Sequence, residues 1–165
     1  LTGDFLDETC NTDIIDQITW IKEWLLSFEI PVFICSGNHD VIAGSTKWLA
    51  KLPYSDGSIT KINNITIGCA PEDCEDFYKY RNCDILLHHY PPSGSKAATD
   101  EYGNNFGNFF LKQDLKMLNC TYILCGHIHQ PTARMVRRTQ NPDHFIYNAG
   151  GNHKQDKVQH LVIEI

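Results

Sequence analysis

The sequence predicts an α/β fold in which buried strands carry polar side chains at their carboxyl ends. The apolar runs at 31–35, 84–88 and Tyr122–Cys125 lack the alternation of a half-exposed strand, so they read as strands covered on both faces. Between the strand end at Leu1 and the run at 31–35, Ile14, Ile18, Ile21, Leu25 and Phe28 repeat at helical spacing, the rhythm of a β-α-β crossover. Each strand end finishes in residue types that bind metals or move protons: Gly3-Asp4, Gly37-Asn38-His39-Asp40, His88-His89 and Gly126-His127-Ile128-His129. Open α/β sheets bind ligands at those ends.

Taken in order, residues 1–8 read as a strand end feeding a loop. A helix is expected from Asn11 or Thr12, either a good N-cap, to Phe28. After the strand at 31–35, a short amphipathic helix is expected over 45–52. Ile59–Ile62 and Ile65–Cys69 flank Asn63-Asn64 as a hairpin, and 72–81 reads as a short helix with an acidic start. The strand at 84–88 is stopped by Tyr90-Pro91-Pro92. Residues 93–108, rich in Ser, Gly, Asn and Asp, form a loop long enough to suggest a mobile wall over a site. A helix over 108–118 would bury Phe110, Leu111, Leu115 and Leu118. Strands follow at Tyr122–Cys125, 133–138, 145–148 and 158–165, the last alternating as an edge or antiparallel strand does.

At 165 residues the chain has the length of one domain with its own core, expected to span 1–165. A formal charge of −6 argues against a nucleic-acid backbone as partner. No apolar run approaches membrane-spanning length, and no signal-peptide pattern is present. Seven cysteines, with Cys35, Cys69 and Cys125 inside apolar runs, read as reduced thiols in a cytoplasmic protein. Cys69 and Cys74 have no second pair at zinc-site spacing. The chain opens at an apparent strand end without Met, so an upstream segment is expected.

The chemistry of the strand ends is specific. Asn38 offers a carbonyl oxygen to a metal, His39 a titratable ring, and Asp40 a carboxylate able to orient that ring. Asp4 also suits a turn or cap, and Asp7 a cap or a support behind the ligands rather than a ligand. His88 and His89, adjacent on a strand, point to opposite faces. His127 and His129 share a face on a strand, or converge on different metals from a loop. His144, His153 and His160 are expected at the surface, and Arg134, Arg137 and Arg138 on a solvated strand face.

In this order, Gly3-Asp4 through Asp7, Gly37-Asn38-His39-Asp40, His89-Tyr90-Pro91-Pro92 and Gly126-His127-Ile128-His129 resemble the calcineurin-like metallophosphoesterases. The resemblance implies a four-layer α/β/β/α sandwich of two mixed sheets with two divalent metal ions (Mn, Fe or Zn) between them. It implies that Asp4 bridges both metals, that Asn38, His89 and His127 bind the second, and that His129 binds the first. It selects His89 over His88, through the His-x-Pro-Pro pattern. A metal-bridging hydroxide would attack phosphorus, His39 would protonate the leaving oxygen, and Asp40 would fix the His39 tautomer. The implied activity is hydrolysis of a phosphate monoester or diester, with a phosphorylated small molecule or other phosphoester as substrate. The family pattern also has an Asp-x-His strand before Gly-Asp. None precedes Leu1, so the fold is expected to lack that first strand, and the first metal to keep only Asp4 and His129. The rival reading is a non-catalytic scaffold of the same fold that docks proteins; His39, which a scaffold does not need, argues for the enzyme.

Overall fold

The computed structural model describes residues 1–151 and 159–163. Strands β1 (Ile59–Ile62) and β2 (Ile65–Cys69) form the expected hairpin. Asn63 and Asn64 both adopt the left-handed backbone, φ 48° and 69°, that a two-residue type I′ turn requires. β2 pairs in parallel with β3 (Ile85–Leu87), β3 with β4 (Tyr122–Cys125), and β4 with β6 (Asn141–Asn148). β5 (Met135–Arg138) runs antiparallel to β6, completing a six-stranded mixed sheet of order β1-β2-β3-β4-β6-β5.

Alternate strand residues feed two cores, which is why these runs are apolar throughout. Leu86, Ile123 and Ile146 pack with Phe77, Tyr80, Leu111 and Leu118 on one face. Ile85, Leu87, Tyr122 and Leu124 meet Phe33 and Cys35 on the other. Beyond that segment, α1 (Ile14–Leu26) buries Ile18, Ile21 and Leu25 with Leu6, Ile34 and Leu49. The helix starts later than expected because Asp13, not Asn11 or Thr12, is its cap, accepting from the Ile15 N–H. Phe28 lies past its end and is exposed.

Several expected elements take another form. Residues 31–35 are extended but pair only through an isolated parallel bridge between Thr2 and Cys35. The ladder stops there because the chain turns away at Gly3, φ 84°, toward the site. Residues 45–52 fold as successive turns, and 72–81 keeps only a 3₁₀ turn at Tyr78–Tyr80. Side chains capture the N–H groups that a helix over 72–81 needs: Asp114 accepts from Phe77 and Asp76 from Tyr78. α2 (Phe109–Asp114) begins at Asn108, whose side chain accepts from the Leu111 N–H. It ends early, with the Leu115 and Leu118 carbonyls taken by Arg138. Arg138, expected on a solvated face, is therefore buried, and Phe110 is exposed. Residues 159–163 form no strand; the rest of the expected last strand, and His153, lie outside the described residues. All seven cysteines are free thiols, six of them buried. Among the described residues no helix is long and apolar enough to cross a membrane.

Candidate metal centre

Two glycines let the first two motifs interlock. A Cβ on Gly3 would fall 2.6 Å from Gly37 Cα, and one on Gly37 would overlap Asp4 Oδ1 and lie 2.8 Å from His89 Cε1. Asp4 itself holds a left-handed backbone, φ 59°, a conformation that costs a non-glycine residue about 1–2 kcal/mol. Asp40 holds it there. Its carboxylate, fully buried, accepts from the backbone N–H groups of Gly37 (2.7 Å), Phe5 (2.8 Å), Asp4 (2.9 Å) and Leu6 (3.1 Å). Burial keeps the Asp40 carboxyl above its ordinary pKa, although these N–H groups pull the other way.

This placement corrects the expected role of Asp40. The 3₁₀ turn Asn38–Asp40 advances about 120° per residue, so neighbouring side chains cannot face the same point. Asp40 points into the Gly3–Leu6 loop, and His39 points outward. The partner of His39 is Glu8, whose carboxylate oxygens lie 2.8 and 2.9 Å from Nδ1. That hydrogen bond raises the His39 pKa above its ordinary value despite some opposing burial. Nothing local in the sequence marks Glu8, 31 positions away in an exposed loop. Asp7 acts as a turn cap, accepting from Thr9 N–H and Oγ1.

β3 and β4 deliver the imidazoles. His89 donates from Nδ1 to the Thr2 carbonyl at 2.6 Å, because that oxygen can only accept. In the neutral ring Nε2 then presents a lone pair, and it faces Asn38 Oδ1 at 2.9 Å and Asp4 Oδ2 at 3.2 Å. His127, whose backbone is also left-handed (φ 64°), sets Nδ1 3.0 Å from the same Asn38 oxygen. Burial, and secondarily the neighbouring His89, push the His127 pKa down to about 4, so its ring is neutral near pH 7. For Asp4, burial works to raise the pKa, but the His89 hydrogen bond and charge and the His39 N–H outweigh it, leaving a carboxylate. The ligand atoms of Asp4, His89 and His127 all lie within 4.8 Å of one another.

A lone pair set against two oxygens is repulsive unless a cation or a further proton sits among them. A dication among Asp4, Asn38, His89 and His127 removes that repulsion, and oxygen and imidazole donors without thiolate suit Mn, Fe or Zn. These residues therefore fit a metal. His129 does not join the convergent group. It is exposed, one position past buried Ile128, and its carbonyl accepts from Gly151 N–H.

Two other residues hold this arrangement. Tyr90 packs its ring 4.4 Å from that of His127 and 5.0 Å from that of His89, while its hydroxyl donates to Glu72. Asn148, fully buried at the end of β6, donates to the Ala97 and Ile128 carbonyls and so pins the His127 turn. His88 faces away, as adjacency to His89 requires. It is buried edge-on to Phe77, its ring nitrogens having no geometric hydrogen-bond partner among the described residues, and burial lowers its pKa to about 3. The 93–108 loop is tied down rather than open: Asn105 bridges Ser93, Gly94 and Thr99, and Asp100 accepts from Tyr102 and Asn104. It brings Phe106 to 6.5 Å from the His127 ring.

No curated protein matches the chain. A family model, calcineurin-like phosphoesterase, matches residues 1–131, which include all four strand-end motifs. Hydrolysis of phosphoesters with the aid of metal ions, generally two, is the general activity of that family. The chain belongs to the calcineurin-like phosphoesterase family.

Proposed function

We propose that this chain is a metal-dependent phosphoesterase that hydrolyses a phosphate monoester or diester. The observation that carries the reading is the convergence of Asp4 Oδ2, Asn38 Oδ1, His89 Nε2 and His127 Nδ1. These four groups would hold one ion; Asp4 and His129 are assigned to the second. When bound, the metal supplies Lewis-acid activation of water and neutralises charge on the phosphoryl oxygens.

The chain's own residues do the rest. His39, exposed and raised in pKa by Glu8, is protonated over a wider pH range than a free histidine, which suits the donor of a proton to the leaving oxygen. Glu8 holds the Nδ1 proton and leaves Nε2 to face substrate. Asp40 is a positioning residue that fixes Asp4 and the His39 turn together. The 93–108 loop stands as a preordered wall beside His127 and is assigned a part in substrate choice.

The reading treats 1–165 as one domain. It takes the Leu1–Thr2 and 31–35 segments as the edge of the second sheet of a four-layer α/β/β/α sandwich, since α1 and the six-stranded sheet flank them. Its seven free thiols accord with the cytoplasm. The test is metal analysis of the purified chain paired with p-nitrophenyl phosphate and bis-p-nitrophenyl phosphate assays. Metal with turnover supports the enzyme. Metal-free protein without turnover of either substrate overturns it.

A further inference from the structure

A second, cationic pocket lies in the helical layer, between α2, β5 and the start of the 93–108 loop. Its volume is about 440 Å³, within the range of small-molecule sites. It shares no lining residue with the metal centre. Lys96, Lys112 and Lys116 are exposed on its walls, and among the described residues no aspartate or glutamate lines it, although the chain as a whole carries −6. Among the described residues none of these lysines pairs with a carboxylate. Lys112 is turned inward: its ammonium lies 3.3 Å from the position a Cβ on Gly94 would take.

The independent observation lies beneath the lysines. Arg138, also part of the lining, is only 8% exposed, yet its guanidinium donates to the Cys120, Leu115 and Leu118 carbonyls and touches His144, with no carboxylate partner among the described residues. Arginine stays charged in proteins. A buried cation without a counter-charge is costly, and its field is weakly screened in the low-dielectric interior. An anion in the pocket above would supply the counter-charge. The floor is apolar, formed by Leu115, Val136 and Ile146, which favours an organic body over a bare inorganic ion.

We infer that this pocket binds a soluble organic molecule carrying two or more phosphate groups, its phosphates against Lys96, Lys112 and Lys116 and its organic body on Leu115, Val136 and Ile146. The site is independent of the metal centre.

The test titrates the full chain with ADP and with pyrophosphate by calorimetry, and repeats it for Lys112→Glu, Lys116→Glu and, as a control on the distant hairpin, Lys61→Glu. Wild type should bind ADP more tightly than pyrophosphate. Each pocket reversal should weaken ADP binding about tenfold or more, with a loss that shrinks in high salt, and Lys61→Glu should leave it unchanged. Hydrogen exchange should slow in peptides covering 92–96 and 112–116 when ADP is added. No binding at millimolar ADP, equal weakening by Lys61→Glu, protection confined to the metal-centre motifs, or binding to anionic vesicles but not to ADP would each overturn the inference.

Discussion

Asp40→Ala is the perturbation that tests how the site is held together. The carboxylate is fully buried and accepts four backbone N–H groups from two loops. Of these donors, the Leu6 and Gly37 N–H groups are themselves buried, so truncation leaves them without water or protein. Each such orphan costs about 1–3 kcal/mol, giving about 2–6 kcal/mol for the pair. Relief from burying a charge offsets part of this, and the half-exposed Asp4 and Phe5 amides add little once solvated. A net loss of about 2–4 kcal/mol is expected. Asp40→Asn should recover only part of it: one oxygen still accepts from Phe5 and Leu6, but the new amide turns a donor toward the Asp4 and Gly37 donors. The assay is urea unfolding followed by circular dichroism, with metal affinity measured on each folded variant, since Asp4 loses its anchor. An Asp40→Ala protein with an unchanged midpoint and unchanged metal affinity would refute the positioning role.

His39→Ala should keep its metal and lose turnover by about 10²–10⁴, less for substrates with acidic leaving groups such as p-nitrophenol; loss of metal would make His39 a ligand. Glu8→Gln removes the interaction that raises the His39 pKa, so the protonated acid is lost at lower pH. The alkaline limb of the rate profile should move toward lower pH with metal content intact, and an unmoved limb would sever Glu8 from His39. Asn105→Ala frees the 93–108 loop from Ser93, Gly94 and Thr99. It should change relative rates among chemically different phosphoesters more than metal affinity, and equal rate changes across substrates would contradict a selecting wall.

What the sequence made legible was the pattern that repeats locally. The hairpin about Asn63-Asn64 and the strand at Tyr122–Cys125 match their expected limits, because turn chemistry and unbroken apolar runs fix them within a few residues. The polar strand ends were legible from the runs before them, and it was the family resemblance that implied Asp4, Asn38, His89 and His127 as one ligand set. What failed depends on distant side chains. The helix expected over 72–81 yields to Asp114, 37 positions from the Phe77 amide it captures. Asp40 sits beside His39 in sequence, whereas its partners are Gly37 and the loop after Gly3. Glu8, Tyr90 and Asn148 act through packing and long-range bonds that no spacing rule marks. Arg138 looks like a surface residue in β5 until the carbonyls after α2 are counted.

The central claim is that Asp4, Asn38, His89 and His127 hold a divalent ion, and X-ray absorption on the zinc-loaded chain tests it most directly. The account predicts one tightly bound ion per chain, with two imidazole nitrogens at about 2.0–2.1 Å, oxygen in the remaining positions and no sulfur. The same spectrum should vanish in His89→Ala that is still folded. A shell containing sulfur, an ion kept at full occupancy in His89→Ala, or no tightly bound ion at all would contradict the account.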